Sequence, residues 1–206
     1  MRPSRLFILS PASTAGRRAR LLFSPRATFD LALRLRNPDG ESIGDVFAFL
    51  SALYFRGKLA YARAFARPES AIRVITSDRG LVSPDLRVTV EDLKKMSRGS
   101  IEPGRRAYRT PLARDAERLA AEHPDGEVVL LGSIATGKYT EILQGGFGPR
   151  LVFPETFVGR GDMSRGGLML RAARANEELT YIPVEGAVRR GKRPERLAPL
   201  RLARSA

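Results

Sequence analysis

The chain has 206 residues, no cysteine and a formal net charge of +14. Its length fits one domain, and its hydrophobic fraction of 43% is enough to build a core. The lack of cysteine excludes disulfides, thiolate metal sites and cysteine nucleophiles, and no run approaches the ~20 apolar residues of a membrane span.

Apolar runs alternate with helical patterns along the chain. Five runs predict strands, at residues 5–10, 71–76, 127–131, 150–153 and 179–183. Amphipathic or capped segments predict helices at residues 17–23, 43–66, 89–97, 111–122, 138–144 and 163–175. The alternation predicts an α/β domain with a mostly parallel sheet of about five strands and helices on both faces.

A change of composition marks the end of this domain. Residues 1–185 carry all the predicted elements, and residues 186–206 form a basic tail that we expect to be disordered or loosely docked. The apolar run at residues 6–9 is shorter than the core of a signal peptide, so we interpret it as a strand. We therefore expect a cytoplasmic protein without a membrane partner.

Small, polar and charged residues follow four of the predicted strands. Ligands bind beyond the carboxyl ends of the strands in open parallel sheets, so we expect these residues to line one rim. Hydroxyls, free N–H groups at helix starts and cations suit an anion. The candidate anion-binding or nucleic-acid-binding residues are Ser10, Ser13, Thr14, Arg17, Arg79, Ser133, Thr136, Gly137, Lys138, Arg160, Ser164 and Arg165. Alternatively, the demands of turns alone produce this composition.

Within this rim the sequence favours one shared site. The side chains of Arg160, Arg165 and Lys138 are expected to converge there with Ser10 and Ser13, because their segments all leave the sheet at strand carboxyl ends. Lys138 and Arg165 also lie near helix starts, where free N–H groups add positive potential.

The loop from Gly132 to Lys138 matches the spacing of a phosphate-binding P-loop. It follows a predicted strand and opens a predicted helix. However, Tyr139 stands where a Ser or Thr hydroxyl would bind Mg²⁺, so the pattern favours a looser anion cradle over a nucleoside triphosphatase.

Candidate catalytic groups are few. The single histidine, His123, precedes a Pro-Asp-Gly turn and is interpreted as a surface residue, which excludes a Ser-His-Asp triad. Asp78, Glu155 and Asp162 each lie beside a strand end and are the candidate catalytic carboxylates. No carboxylate cluster has metal-ligand spacing, so neither a metal nor a cofactor is expected.

Four short segments carry a family resemblance. Residues 7–12 (FILSPA), 75–85 (ITSDRGLVSPD), 135–139 (ATGKY) and 165–171 (RGGLMLR) resemble, in this order, four motifs of the YaaA family of bacterial peroxide-stress proteins. Ser13, Arg79 and the pair Gly137-Lys138 depart from those motifs. The resemblance implies a cytoplasmic protein that binds DNA and limits oxidative damage, and it implies no catalytic mechanism.

Three hypotheses for function remain open. The first is a nucleic-acid-binding protein, active in oxidative-stress or DNA-damage response, whose rim and tail contact phosphates. The second is an enzyme that acts on a nucleotide or nucleoside, for example by cleaving an N-glycosidic bond. The third is a non-catalytic scaffold whose charge reflects codon usage, because 31 of the 36 basic residues are Arg. The sequence leaves the oligomeric state open.

Overall fold

The computed structural model describes residues 5–68 and 71–197. The strands in this part of the chain are β1 (Arg5–Leu9), β2 (Glu41–Ser42), β3 (Ile72–Ile75), β4 (Leu81–Val82), β5 (Arg87–Val88), β6 (Glu127–Leu131), β7 (Leu151–Pro154) and β8 (Tyr181–Pro183). The α-helices are α1 (Arg17–Phe23), α2 (Asp30–Arg36), α3 (Ile43–Ser51), α4 (Leu53–Phe65), α5 (Val90–Arg98), α6 (Arg106–Glu122), α7 (Gly137–Phe147) and α8 (Asp162–Ala175).

The main sheet has the strand order β4-β3-β1-β6-β7-β8. Its four central strands are parallel, and the two edge strands, β4 and β8, run antiparallel. This confirms the predicted α/β fold, with three of the predicted strands as neighbours in the order β3-β1-β6. Residues 6–9 and 128–131 are buried, as expected for strands covered on both faces. Strands β2 and β5 form a separate two-stranded antiparallel sheet.

The connections around β1 fix where the helices lie. From β1 the chain crosses to β3 on one side, whereas from β6 it crosses to β7 on the other. Right-handed crossovers in opposite directions put their helices on opposite faces of the sheet. Accordingly, α4 packs along α8, and α6 packs along α7. A crevice opens between the carboxyl ends of β1 and β6, where the strand order reverses.

The predicted single helix at residues 43–66 is wrong, because the chain breaks at Ala52. This residue adopts φ +46° and ψ −122°, a conformation that favours glycine, and it separates α3 from α4. The break reorients α4 so that it packs along α8, where Gly57 meets Gly166. A Cβ on Gly57 would lie 2.5 Å from the carbonyl oxygen of Gly166. No Pro or Gly stands at residue 52, so nothing in the local sequence marks the break.

Other boundaries follow the local sequence more closely. Ser42 caps α3 by accepting a hydrogen bond from the Asp45 N–H, and Thr89 with Asp92 forms a capping box at the start of α5. The predicted start of α6 was Pro111, but the helix begins five residues earlier, at Arg106. Helix α2 and the two-residue strands β2, β4 and β5 are too short to show a periodic pattern.

The described part of the basic tail is docked. The Arg160 guanidinium donates to the Glu195 carbonyl oxygen at 3.3 Å, and Gly159 leaves room for the Lys192 carbonyl oxygen, which would lie 2.2 Å from a Cβ at this position. Residues 198–206 of the predicted tail lie outside the described residues. None of the helices within the described ranges is long and apolar enough to cross a membrane.

The close approach of α4 and α8 predicts that a Gly→Ala substitution at the contact destabilises the protein, whereas a matched Gly→Ala substitution in an open place stabilises it. We expect Gly57→Ala to lower the free energy of unfolding by about 1–3 kcal/mol, because its Cβ meets backbone that cannot move aside. Gly145→Ala in α7, where a Cβ has no neighbour within 4 Å, should raise the free energy of unfolding by about 0.5–1 kcal/mol. Urea denaturation measures both changes, and stabilisation by both would contradict the close packing.

Candidate nucleotide site at the strand ends

A cavity of about 560 Å³ opens at the crevice beyond β1 and β6. Its walls come from the loops after β1, β3 and β6, from α3 and α5, and from the starts of α7 and α8. Its charged lining residues are Glu102, Lys138 and Asp162. Side-chain hydroxyls dominate the rest of its polar lining: Ser10, Ser13, Thr14, Ser51, Tyr54, Ser77, Ser97, Ser100, Ser133 and Tyr139.

The structure brings part of the predicted rim to this cavity. Of the predicted anion-binding residues, those that line it are Ser10, Ser13, Thr14, Ser133 and Lys138. Of the three candidate carboxylates, only Asp162 does so. Thr136 and Gly137 lie beside the cavity at the start of α7 but do not line it. Arg17 is exposed at the start of α1, and Glu155 is exposed in the turn after β7.

Two of the predicted anion-binding arginines, Arg79 and Arg165, bind other residues of the chain. The Arg79 guanidinium forms a short ion pair with Asp92, and its Nε lies 3.8 Å from the Asp78 carboxylate. Arg165 is buried, and its Nε and Nη2 donate to the Phe157 carbonyl oxygen at 3.1 and 3.0 Å. These partners satisfy the guanidinium donors that a ligand would need. Arg79 and Arg165 therefore have structural contacts within the described residues, and a role of Arg165 in a shared anion site stays a prediction.

Arg160 and Ser164 line a second concavity of about 380 Å³, whereas Lys138 lines the cavity, so the structure does not place Arg160 and Lys138 in the same concavity. We call this concavity the basic groove. Its charged residues are Arg160, Arg171, Arg193, Glu195 and Arg196. The groove and the cavity have no lining residue in common, but two segments, residues 51–54 and 161–163, supply neighbouring residues to each of them.

Lys58 was not among the predicted site residues, but its amine contacts Ser10, which lines the cavity. Its side chain is fully buried in α4, and its Nζ donates to the carbonyl oxygen of Ser10 at 2.5 Å and to the Ser10 Oγ at 2.9 Å. Nζ also lies 4.2 Å from the ring centroid of Tyr54 and 4.9 Å from that of Phe55. Lys58 forms no ion pair with any described residue.

Burial without a counter-ion lowers the pKa of Lys58 to about 7. The Asp162 charge opposes this shift, and the Arg165 charge adds to it. Burial raises the pKa of Tyr139, although hydrogen bonds with Ser10 and with the Ser133 N–H work against that rise. Burial also raises the pKa of Tyr54. Its hydroxyl is buried and has no hydrogen-bond partner within residues 5–68 and 71–197.

One signal for Lys58 was present in the sequence. The chain has only 5 Lys against 31 Arg, and Lys58 stands among Tyr54, Phe55, Leu59 and Tyr61, on the apolar side of an amphipathic helix. Lysine can lose its proton when buried, whereas arginine stays charged. A lysine at an apolar helix position in an arginine-rich chain is therefore informative.

The described residues contain no group of three or more His, Asp or Glu side chains that could hold a metal ion. His123 ends α6, and its carbonyl oxygen accepts a short hydrogen bond from Arg150. The site thus consists of hydroxyls, one buried amine, one exposed lysine and two carboxylates.

The fold and the site define an open α/β protein with a ligand cavity at the switch point of its sheet. Comparison with protein-family models, with curated proteins and with solved structures finds no match for the chain.

Lys58 should make the stability of the protein depend on pH. Between its folded pKa of about 7 and the ordinary lysine value of 10.5, unfolding takes up a proton, so the free energy of unfolding should rise with pH. From pH 7 to 9 the slope from this residue is at most about 1.4 kcal/mol per pH unit.

Lys58→Met should remove that slope. Lys95→Met, which changes an exposed lysine of α5, should keep it. Chemical denaturation at pH 7, 8 and 9 measures the three slopes. Equal slopes for the parent protein and Lys58→Met would show that Lys58 is charged in the folded state.

Proposed function

We propose that the protein binds a nucleic-acid strand, with one unpaired nucleotide in the cavity and the neighbouring phosphates along the basic groove. The observation that carries the proposal is that the two concavities are lined by neighbouring residues of the same two segments, 51–54 and 161–163. A cavity alone would suit a free nucleotide, and a basic groove alone would suit any polyanion. Together they suit a strand with one base turned out of its stack.

More arginines than carboxylates line the groove. Four arginines and one glutamate contribute to it. The Arg160 guanidinium contacts only uncharged acceptors among the described residues, namely two carbonyl oxygens and the Ser164 hydroxyl. Arg193 and Arg196 are exposed. Cationic side chains without a carboxylate partner attract phosphates, and their binding releases counterions from the nucleic acid.

Part of the basic charge outside the groove is neutralised in ion pairs. Seven of the described arginines pair with carboxylates: Arg5, Arg34, Arg63, Arg79, Arg114, Arg118 and Arg165. Arginines in such pairs fit the hypothesis that the charge reflects codon usage. The net charge of +14 therefore does not support nucleic-acid binding by itself, and the proposal depends on the groove.

The cavity has the size and lining for a nucleotide. Its volume of about 560 Å³ falls within the ~300–1,000 Å³ typical of small-ligand sites. Hydroxyls such as those of Ser13 and Ser133 can bond to the sugar and to the edge of the base. Lys138 is exposed in the first turn of α7, forms no ion pair with the described residues, and can contact a phosphate there.

The YaaA resemblance supports DNA as the nucleic acid. Three of the four resembling segments contribute residues to the cavity: Ser10, Pro11 and Ala12 from the first, Ser77 from the second, and Lys138 and Tyr139 from the third. Segments some sixty residues apart in the chain thus meet at one site. A cytoplasmic role in limiting oxidative damage belongs to the same proposal.

The test compares two double variants of the tail that remove equal charge. Arg193→Ala with Arg196→Ala removes two groove residues, whereas Arg189→Ala with Arg190→Ala removes two exposed arginines outside the groove. We expect the first to weaken binding of a fluorescent single-stranded DNA and to reduce its logarithmic salt slope by about 1.4, the value for two lost phosphate contacts. The second should leave the slope close to that of the parent.

The same titration with other ligands distinguishes an unpaired strand from a duplex and from a free nucleotide. Single-stranded DNA should bind more tightly than a fully paired duplex or a nucleoside monophosphate, and Lys138→Ala should weaken binding whereas Lys95→Ala should not. Binding of the monophosphate without any binding of the strands would overturn the nucleic-acid proposal. Equal salt slopes for the two double variants would exclude the groove.

Asp162 favours one alternative, the cleavage of an N-glycosidic bond. It is the one candidate carboxylate that lines the cavity, and its Oδ1 lies 3.4 Å from Arg165 Nη1. A carboxylate in this place can stabilise the cationic sugar of such a reaction. Release of free base from a nucleoside or from DNA, lost in Asp162→Asn, would favour this enzyme over a binding protein.

A further inference from the structure

We propose that Ser10 is a nucleophile that takes the acyl group of small carboxylic esters, with Lys58 as its general base and the Tyr139 hydroxyl as a donor to the oxyanion. Ser10 follows the central strand β1 and lines the cavity as a largely buried residue, so the proposal places the ester carbonyl at its Oγ. This inference concerns an activity, and it does not depend on the binding of nucleic acid.

The contacts of Lys58 suit a base better than a structural cation. Its amine is fully buried between two aromatic rings, and its polar contacts are both with Ser10. A buried ammonium without a carboxylate partner is disfavoured, so burial shifts Lys58 towards the neutral amine. A neutral amine has a free lone pair, and the Ser10 Oγ at 2.9 Å can donate its proton to it.

The charges around Lys58 come from two neighbouring helices. Asp162 and Arg165 on α8 act on it with opposite sign, and burial has the largest effect, so the pKa of Lys58 falls to about 7. Tyr54 on its own helix and Tyr139 on α7 are kept protonated by burial, which raises the pKa of both phenols. Lys58 is therefore the group in this cluster that changes charge near neutral pH.

Tyr139 is placed to stabilise negative charge beside Ser10. Its hydroxyl oxygen accepts a hydrogen bond from the Ser133 N–H at 3.0 Å, which leaves its own proton to be donated. The Ser10 Oγ and the Tyr139 hydroxyl oxygen both lie 3.1 Å from the position of a Cβ on Gly132, so the two hydroxyls share one small space. Gly132 keeps that space open. A hydroxyl donor of this kind serves as an oxyanion donor in acyl transfer.

The chemical step balances with these groups and water alone. The Ser10 Oγ attacks the ester carbonyl carbon while its proton moves to Lys58 Nζ, and the carbonyl electron pair moves onto oxygen opposite the Tyr139 hydroxyl. Collapse of this intermediate breaks the bond to the alcohol, which leaves with the proton from Nζ. Water then attacks the acyl-Ser10 ester, again giving its proton to Nζ. The carboxylic acid leaves, and Ser10 Oγ recovers the proton.

The experiment exposes the full chain to p-nitrophenyl acetate and to a fluorophosphonate probe from pH 5.5 to 8.5, with peptide mass spectrometry to locate the adduct. We expect an acetyl or phosphonyl group on Ser10. Its rate of formation should rise about tenfold per pH unit below pH 7 and level off above, as a base with a pKa of about 7 requires.

Variants separate the base from a structural role. Ser10→Ala should abolish the adduct, and Lys58→Met should slow its formation by about 100-fold or more. Lys95→Met and Ser83→Ala change exposed residues outside the cavity and should match the parent rate. Circular dichroism checks that each variant folds. If Lys58→Met does not fold, the pH profile of the parent protein decides.

Three results would overturn the inference: no adduct on Ser10, a rate independent of pH, or a rate unchanged in folded Lys58→Met. DNA titration of the same samples separates this outcome from that of the binding proposal. A parent protein that binds DNA but gives no adduct refutes the nucleophile alone, and one that gives the adduct but binds no DNA refutes the binding proposal alone.

Discussion

The parallel pairing of β1 on both of its edges determines most of the structure. β3 lies on one side and β6 on the other, and the chain crosses from β1 to β3 and from β6 to β7 in opposite directions. Right-handed crossovers then place α4 and α8 on one face and α6 and α7 on the other. The strand order reverses between β1 and β6, and the cavity lies beyond their carboxyl ends, with Ser10 and Ser133 in its lining.

Lysine and arginine have different tasks in this chain. The arginines are charged at every accessible pH, so they occur in ion pairs, on carbonyl oxygens and in the basic groove, where a permanent charge is useful. Lys58 occupies the one described buried position where a cation has no counter-ion. An arginine there would keep its charge, whereas a lysine can become neutral and interact with a serine hydroxyl.

Two features determine where Lys58 lies: the strained backbone at Ala52, just before α4, and the close contact between α4 and α8. Ala52 turns the chain between α3 and α4, with Ser51 and Tyr54 in the cavity wall on either side of it. The glycine contact between Gly57 and Gly166 then brings α4 against α8 one residue before Lys58. The amine thereby reaches the end of β1 from one face of the sheet, while Tyr139 reaches it from the other.

The sequence by itself determined the fold class and the edge of the sheet, at the carboxyl ends of the parallel strands, where the cavity lies. Continuous apolar runs at β1, β3 and β6 predicted buried parallel strands, and small polar residues after them predicted Ser10, Ser133 and Lys138 at the cavity. The tertiary structure alone decided which charges are available. Arg79 and Arg165 look like ligand contacts in the sequence, but Asp92 and the Phe157 carbonyl oxygen, 13 and 8 residues away in the chain, bind their guanidinium groups. Lys58 looks like an ordinary helical lysine until α4 buries it against Ser10, 48 residues away. Burial and hydrogen-bond partners come from packing between distant segments, and a pattern of neighbouring residues does not encode that packing.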